Sequence, residues 1–418
     1  MPRDALRVIE GFFRMQRCKR SLALSALLLS MYANSAAAEE IVGDFTDATT
    51  AQGWALSSEL IWTAPSGAVP TPPSTNGTGW VSLMALSPHQ DQMSYATSST
   101  LLDTQLPIRI QYEFLSYDTR KNIGATAGFH LIDATKGPEL HKKDKSYNCA
   151  SSTLMVSMGH EGMYYDGCTG PREFWSKFNR VIVRADNTVV ARDQAPMWLT
   201  CGNYNTWHGE RIDARHCTTR EEAVATGFVR AVDALVTPNR NGAGYTLDVT
   251  IDGQPIYHQL PITKTIPEFV QFGLWAEHHG RPHHEVRNVR VTQDTLLVSD
   301  VNGRCVDVER GIAKGHLIYL HACHGGANQV FRFANDAIEV GDLCMDAEFG
   351  HYRDGTRVIS QTCSGQENQR WALMQTGQLR SKMAGDQRCV TLAANGIHLS
   401  LQPCDSTLAT QRFTVRAP

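Results

Sequence analysis

A threefold repetition in the last 120 or so residues constrains the fold more than any other feature of the chain. Each repeat holds a cysteine, a short alternating run, a second cysteine and a Gln-x-aromatic motif. In order, these are Cys305/Cys323 with Gln329-x-Phe331, Cys344/Cys363 with Gln369-x-Trp371, and Cys389/Cys404 with Gln411-x-Phe413. A unit of about 40 residues without helical periodicity buries its apolar face only against neighbouring units. We therefore predict three β-rich units around one core, with the Gln and aromatic side chains inside it.

This pattern closely resembles the ricin B-type β-trefoil lectins, over residues 296–418. The resemblance implies three-fold pseudosymmetry, one disulfide within each repeat, and up to three shallow sugar pockets. In the family, a pocket uses an Asp two residues after the first cysteine, an aromatic ring two before the second, and an Asn just before the Gln. Carboxylate and amide hold sugar hydroxyls while the ring stacks on the C–H face of the sugar.

The three repeats keep these pocket residues unequally. In chain order the three positions are Asp307, His321 and Asn328; then Asp346, Gln361 and Asn368; then Thr391, Gln402 and Thr410. Tyr319 lies near the first pocket in sequence and offers a second ring. We expect a sugar site in the first repeat, an incomplete one in the second and none in the third. The alternative, that all three are vestigial, stays open.

Residues 39–295 have a different rhythm, with period-two runs such as "IRIQYEF", "NRVIVRA" and "YTLDVTIDG" between Gly-, Pro- and Asn-rich turns. This alternation is typical of half-buried strands. The order of "VSLMALSPHQDQMSYATSSTLLDTQLPIRIQYEFLSYD", "GATAGFHLID", "FNRVIVRADNTV" and "FVQFGLWAEHHGRPHHEVRNVRV" resembles the legume-type (L-type, concanavalin A-like) lectins. The predicted fold class is therefore all-β: a concanavalin A-like jelly-roll sandwich followed by a β-trefoil.

The sandwich departs from the legume-type lectins at their sugar and metal site. Ala125 and Thr126 stand where the family has Asp-Gly, and Asp133 is the acid kept at the far end of that strand. The run 159–161, Gly-His-Glu, replaces the acidic metal-binding run, and hard cations need several converging oxygens. We expect the lectin fold without the usual lectin site, and no metal.

Four histidines fall within seven residues of "WAEHHGRPHHEVRNVRV": His278, His279, His283 and His284. By the resemblance, this stretch is a hairpin with "HGRPH" at its tip. Adjacent strand residues point to opposite faces, so at most two of the four histidines converge, and zinc needs three or four ligands. Packing is therefore favoured over a metal site, and a place beside a glycan groove stays open.

The sandwich also carries cysteine-rich insertions. Cys149, Cys168, Cys201 and Cys217 allow three pairings, of which we favour 149–168 and 201–217 as the sequence-local choice. Three aromatic residues lie near Cys201 and Cys217 in the sequence: Trp198, Tyr204 and Trp207. Such rings form either a stacking platform for a carbohydrate or ordinary loop packing.

The N-terminus has the form of a secretory signal peptide over residues 1–38. Basic residues precede an apolar run that is too short to span a bilayer, and Ala36-Ala37-Ala38 precede the expected cleavage point. Of 11 cysteines, Cys18 leaves with this segment, and the even number that remains favours disulfides in an exported protein. We predict a secreted protein, extracellular or periplasmic, with no membrane span.

Three functional hypotheses follow. The first is a secreted carbohydrate-binding protein without cofactors, whose partners are glycans or glycoconjugates bound through the trefoil, with the sandwich as an additional candidate binding unit. The second is a glycan-active hydrolase with a catalytic sandwich; Glu161, Glu277 and Glu285 look isolated, whereas such enzymes pair two carboxylates. The third, the receptor-binding part of a toxin, rests on fold analogy alone. Net charge −3 argues against nucleic acid.

Overall fold

The computed structural model is almost entirely β. It describes residues 41–43, 54–56, 80–83, 92–117, 124–135, 152–161, 177–186, 188–201, 217–239, 244–279, 283–334, 336–383 and 387–418. The proposed signal peptide, residues 1–38, lies outside these ranges. Among the described residues, no helix is long and apolar enough to cross a membrane. The predicted all-β class is confirmed.

One seven-stranded antiparallel sheet forms the first layer of the sandwich, in the order β1-β14-β5-β10-β11-β12 with β3 beside β14. Its strands are β1 (Ile41–Gly43), β3 (Val81–Ser82), β5 (Ile108–Tyr117), β10 (Arg230–Pro238), β11 (Tyr245–Ile251), β12 (Gln254–Ile262) and β14 (His283–Thr292). The predicted strands "IRIQYEF" and "YTLDVTIDG" correspond to β5 and β11.

A second seven-stranded antiparallel sheet forms the other layer, in the order β2-β4-β13-β6-β7-β8-β9. Its strands are β2 (Trp54–Leu56), β4 (Gln92–Asp103), β6 (Gly124–Asp133), β7 (Ser152–Glu161), β8 (Lys177–Ala185), β9 (Thr188–Gln194) and β13 (Phe269–His279).

The two sheets share one apolar core. On β5, Ile108, Ile110 and Tyr112 are buried while the residues between them are partly exposed. They meet side chains such as Phe129 and Phe272 of the other sheet, and the rings of Tyr112 and Phe129 pack edge to face at 6.4 Å. The alternation in β5 thus gives this strand one face that is buried against the other sheet.

The described part of the sandwich contains one α-helix, α1 (Arg220–Ala225), just after Cys217. Thr219 caps it by accepting a hydrogen bond from the Glu222 amide, and Glu222 accepts one from the Thr218 amide in return. This reciprocal cap begins the helix, and the chain then enters β10. The segment after Cys217 is therefore a short helix followed by a strand.

Twelve short strands form three four-stranded sheets in the C-terminal part. They are β15 (Leu296–Ser299), β16 (Cys305–Val308), β17 (Ile318–His321), β18 (Arg332–Ala334), β19 (Ala337–Val340), β20 (Leu343–Ala347), β21 (Val358–Thr362), β22 (Trp371–Leu373), β23 (Leu379–Ser381), β24 (Arg388–Leu392), β25 (Leu399–Pro403) and β26 (Phe413–Arg416). The sheet orders are β17-β16-β15-β26, β18-β19-β20-β21 and β22-β23-β24-β25. Each sheet thus contains one strand from a neighbouring repeat. The pairing of β15 with β26 connects the first and third repeats.

The aromatic residues of the three repeats meet in one core, as predicted. Phe331, Trp371 and Phe413 are at most 3% exposed and belong to a single apolar cluster. The described residues include four disulfides: Cys201–Cys217, Cys305–Cys323, Cys344–Cys363 and Cys389–Cys404. Cys149 and Cys168 lie outside the described residues. Covalent closure within each repeat limits the freedom of the unfolded chain and so stabilises these small units.

A turn between β4 and β5 of the sandwich packs against the trefoil. Leu106, in this turn, is buried in the apolar cluster formed by the trefoil core. Beside it, Gln293 accepts a hydrogen bond from the Asp103 amide at 3.0 Å and donates one to the Asp103 carbonyl at 2.6 Å. Burial raises the pKa of the Asp103 carboxyl to about 6, although the Gln105 amide, which donates to it, opposes the rise.

This junction predicts a pH-dependent stability. A carboxyl group with a raised folded-state pKa stabilises the fold fully below its unfolded pKa, near 4, and loses that contribution as the pH rises through about 6. Asp103→Asn keeps an acceptor for Gln105 without a charge. Above pH 6 we expect this variant to be more stable than the wild type by on the order of 1–2 kcal/mol in the free energy of unfolding. Calorimetry measures this gain as a higher melting temperature.

A matched control is Glu309→Gln, which removes an acid whose side chain is 38% exposed. It is expected to keep the wild-type pH profile between pH 4 and 7. Equal profiles for Asp103→Asn and the wild type would contradict the assignment of this pH dependence to Asp103.

Candidate functional site

A buried glutamine organises the first repeat. Gln329 accepts hydrogen bonds from the amides of His324 and Gly325, at 2.8 and 3.2 Å, and donates to the Ala322 carbonyl at 2.9 Å. Its amide nitrogen also donates to Asp307 Oδ2 at 2.7 Å. The side chain therefore fixes the chain after the second cysteine and orients the carboxylate. This is the backbone-tying role predicted for the Gln of each motif.

The predicted carboxylate and amide of the first pocket lie together. Asp307, on β16, is 1% exposed, and Asn328 donates to its Oδ1 at 2.9 Å. With Gln329 on Oδ2, both oxygens are held; Oδ1 keeps a further lone pair for a ligand hydroxyl, whereas Oδ2 also lies 3.3 Å from His324 Nε2. The carboxylate is thus held in one orientation and is almost entirely buried.

Two rings stand next to this carboxylate. Tyr319 pairs with Asp307 across the β16–β17 ladder, and the exposed His321 lies two residues further along β17. Their ring centroids are 5.9 Å apart and tilted by 52°. Burial and the nearby Asp307 raise the pKa of the Tyr319 phenol, which therefore stays protonated and able to donate. Of the residues predicted for this pocket, all four lie close to one another.

The second repeat has the same polar frame without the rings. Asn368 and Gln369 both donate to Asp346 Oδ2, at 2.9 and 2.8 Å. Burial raises the pKa of the Asp346 carboxyl, against the lowering effect of these two donors. At the ring position, Gln361 accepts from the Thr362 amide with its own side chain. The second repeat therefore has the hydrogen-bond frame of Asp346, Asn368 and Gln369, but Gln361 provides no aromatic ring for stacking.

The third repeat keeps the glutamine but no carboxylate. Gln411 donates to the Thr391 hydroxyl at 3.1 Å and to the Pro403 carbonyl, and accepts from the Asp405 amide. Gln378 donates to the same Gln411 oxygen at 2.8 Å. All donors and acceptors are used within the fold, so this glutamine has a structural role.

Sequence reasoning missed His324 in the first repeat. Its Nε2 lies 3.3 Å from Asp307 Oδ2, and its ring centroid is 5.8 Å from that of His321. The signal was present as "HACH", two histidines on either side of the second cysteine of the repeat. In the family pattern the pocket ring lies two residues before that cysteine, at His321. His324, just after the cysteine, corresponds to no pocket position of the pattern.

The histidine-rich stretch is not a hairpin, so that prediction was wrong. Its two strands lie in different layers: β13 pairs with β4 and β6, whereas β14 pairs with β1, β3 and β5. The reason is that both strands bury apolar side chains, such as Leu274 and Val286, in the core between the sheets. They therefore face each other across the core, and the connection crosses from one sheet to the other.

The histidines of this stretch have separate surroundings. His283 stacks on Tyr117, with ring centroids 4.7 Å apart and an interplanar angle of 7°, while His284 is 1% exposed. The side chains of His278 and His279 lie outside the described residues. Two neighbouring histidines on β14 thus point to different faces, as strand geometry requires.

Glu285, in the same stretch, is not isolated as the sequence suggested. Its carboxylate is 2% exposed; Oε1 accepts from the Tyr117 hydroxyl and Arg220 Nη2, both at 2.8 Å, and Oε2 accepts from Arg220 Nε. Arg220 begins α1, which follows the Cys201–Cys217 disulfide. This buried ion pair therefore attaches the disulfide-bonded insertion to the first sheet.

The other sandwich residues singled out by sequence form no common site in the described part. Asp133 accepts from the amide and hydroxyl of Thr135 and so caps the end of β6. Trp198 is 41% exposed, and its carbonyl accepts from Arg230 at 2.6 Å. Tyr204 and Trp207 lie outside the described residues.

Comparison with known proteins identifies the C-terminal unit. Residues 293–415 match the family model of the ricin-type beta-trefoil lectin domain, so this part of the chain is a ricin-type β-trefoil. A curated relative, "Probable lipoprotein EnvE" of Salmonella typhimurium, is 28% identical over 127 residues, which cover 29% of this chain and 70% of the relative.

Two solved structures illustrate the two parts of the chain. The designed 3-fold symmetric protein ThreeFoil is 20% identical, with a TM-score of 0.27, over 29% of this chain and 96% of that one. The metal-free Emp46p carbohydrate recognition domain is 11% identical, with a TM-score of 0.37, over 61% and 96% of the two chains. At these scores neither match bears on what this chain binds.

The Glu285–Arg220 pair predicts a large loss of stability when one partner is neutralised. Glu285→Gln leaves Arg220, whose side chain is 14% exposed, without its countercharge. Removing one partner of a buried pair costs about 3 kcal/mol or more, which lowers the melting temperature of a unit of this size by about 6–12 °C. Calorimetry of the full chain measures this shift.

Asp233→Asn provides the control, because it breaks the exposed Arg109–Asp233 pair, whose side chains are 42% and 31% exposed. That change is expected to cost less than about 1 kcal/mol. Equal shifts for the two variants would contradict the anchoring role of Glu285.

Proposed function

We propose that this chain is a secreted carbohydrate-binding protein that recognises glycans through the first repeat of its trefoil. The observation that carries this proposal is the buried Asp307 carboxylate, fixed by Asn328 and Gln329 beside the rings of Tyr319 and His321. A preorganised acceptor next to a flat apolar surface suits the alternating hydroxyl and C–H faces of a sugar.

The proposed sugar class is galactose-type or related. The family resemblance suggests this class. In the second repeat, Asp346 and Asn368 offer a weaker auxiliary site, because the ring is missing there. The third repeat has no role in this proposal.

We further propose export of the mature chain after removal of residues 1–38, and two units bounded at 39–295 and 296–418. The four disulfides support an oxidising compartment. The name of the relative EnvE, a probable lipoprotein, supports a location outside the cytoplasm. In this proposal the sandwich is the support that holds the trefoil, through Leu106.

A glycan array with the full chain, expressed in an oxidising compartment, tests the proposal. Asp307→Ala removes the charged acceptor and is expected to lower affinity about 10- to 100-fold, since hydrogen bonds to charged groups contribute about 1.5–3 kcal/mol. His321→Ala removes one ring and is expected to lower affinity about 3- to 10-fold.

Thr391→Ala, at the position equivalent to Asp307 in the third repeat, is the matched control and is expected to bind as the wild type does. Binding that survives Asp307→Ala unchanged would contradict the assignment of the site. Glycans shortened by the wild type on the array would instead favour the hydrolase hypothesis.

A further inference from the structure

We propose that the first trefoil repeat contains a binding site for a zinc-class transition-metal ion, formed by Asp307, His321 and His324. One ligand atom from each side chain lies within 4.8 Å of the other two. This site stands on its own geometry and does not depend on sugar binding. No such ion was expected from the sequence, where the metal hypothesis concerned the histidine-rich stretch of the sandwich.

The spacing of the ligand atoms suits a tetrahedral ion. Asp307 Oδ2 and His324 Nε2 are 3.3 Å apart. Two ligands at zinc–ligand distances of about 2.0–2.1 Å in tetrahedral geometry are separated by about 3.3–3.4 Å. The third ligand, His321, is exposed on the end of β17, and one of its ring nitrogens lies within 4.8 Å of the other two ligand atoms.

The surroundings of His321 suit one tautomer for metal binding. Its Nδ1 lies 3.3 Å from the Ala322 carbonyl oxygen, and a carbonyl only accepts hydrogen bonds. A proton on Nδ1 can be donated to that carbonyl, and this tautomer leaves the lone pair on Nε2. Histidine ligands of metals commonly donate their other N–H to a backbone carbonyl in this way.

The carboxylate ligand is held by neighbours that do not compete for the ion. Asn328 and Gln329 donate to Asp307, and Gln329 is itself buried and tied to the backbone at three points. Outer partners of this kind fix the orientation of a metal-binding carboxylate. With two imidazoles and one carboxylate, three protein ligands are supplied and a fourth position is left for water or a ligand hydroxyl.

His324 must change its tautomer when the ion binds. Its Nδ1 accepts from the Gly326 amide at 3.0 Å, so in the free pocket its proton is on Nε2, facing Asp307. Coordination through Nε2 transfers that proton to Nδ1 by way of solvent, and the Gly326 hydrogen bond is exchanged for one to water. Both Gly325 and His324 are exposed, so water reaches this segment.

Comparison of the repeats shows that the two histidines are not needed for folding. The second repeat builds the same frame from Asp346, Asn368 and Gln369. There, Gln361 occupies the position of His321, and Ser364 occupies that of His324, since the Ser364 amide donates to Gln369 as the His324 amide does to Gln329. The imidazoles are thus an addition to a frame that closes without them.

Calorimetric titration of the full chain with zinc ions tests the proposal, using untagged protein freed of metal by a chelator. One zinc ion is expected to bind per chain at the trefoil, and the His321→Ala/His324→Ala double variant is expected to lose at least tenfold in affinity. Circular dichroism and the melting temperature show that the variant remains folded.

Two further variants sharpen the result. His398→Ala removes an exposed histidine of the third repeat, which contacts Asn395, and is expected to bind zinc as the wild type does. Gln361→His/Ser364→His installs the pair on the second repeat's frame and is expected to add a second equivalent of zinc.

The proposal is overturned if the double variant binds zinc as tightly as the wild type. It is also overturned if zinc binding is lost instead in His278→Ala/His279→Ala, which tests the histidine-rich stretch. A folded Gln361→His/Ser364→His variant that binds no additional zinc would refute the claim that these ligands on this frame suffice.

Discussion

The buried amide of a glutamine is the interaction on which the trefoil depends. In each repeat, Gln329, Gln369 or Gln411 joins the carbonyl at the end of one strand to the amide that follows the second cysteine. An unpaired amide in these positions would be costly, because a buried polar group without partners loses the hydrogen bonds it made with water. The side chain that lies across from it, Asp307, Asp346 or Thr391, is therefore part of the fold before it is part of any site.

Because this side chain first serves as the partner of the glutamine, the three repeats can differ in sequence and still fold. Thr391 satisfies the glutamine with a hydroxyl, so the third repeat folds without a carboxylate. The second repeat keeps its carboxylate and lacks the ring. The three repeats thus differ at a few positions around a hydrogen-bond frame that they share, and the sequence of each repeat shows which residues occupy these positions.

Much of this could be predicted from the sequence, since it rests on local patterns. The Cys and Gln-x-aromatic repeats predict the shared core, the resemblance to the ricin B-type lectins implies the disulfide pairings, and period-two alternation predicts strands such as β5 and β11. The partners of Glu285 could not be predicted, because Tyr117 and Arg220 are 168 and 65 residues away in the chain. Likewise, the resemblance to the legume-type lectins suggested a hairpin of β13 and β14, whereas burial of both strands places them in opposite layers.

Leu106 has a consequence for how freely the two parts of this molecule can be recombined. It projects from a turn of the sandwich into the apolar cluster of the trefoil, where it is 2% exposed. A different trefoil grafted behind the same sandwich would have to offer a matching recess, or leave an apolar side chain in water. The two units therefore do not behave as interchangeable modules on a string, and changes on either side of this contact are constrained to occur together.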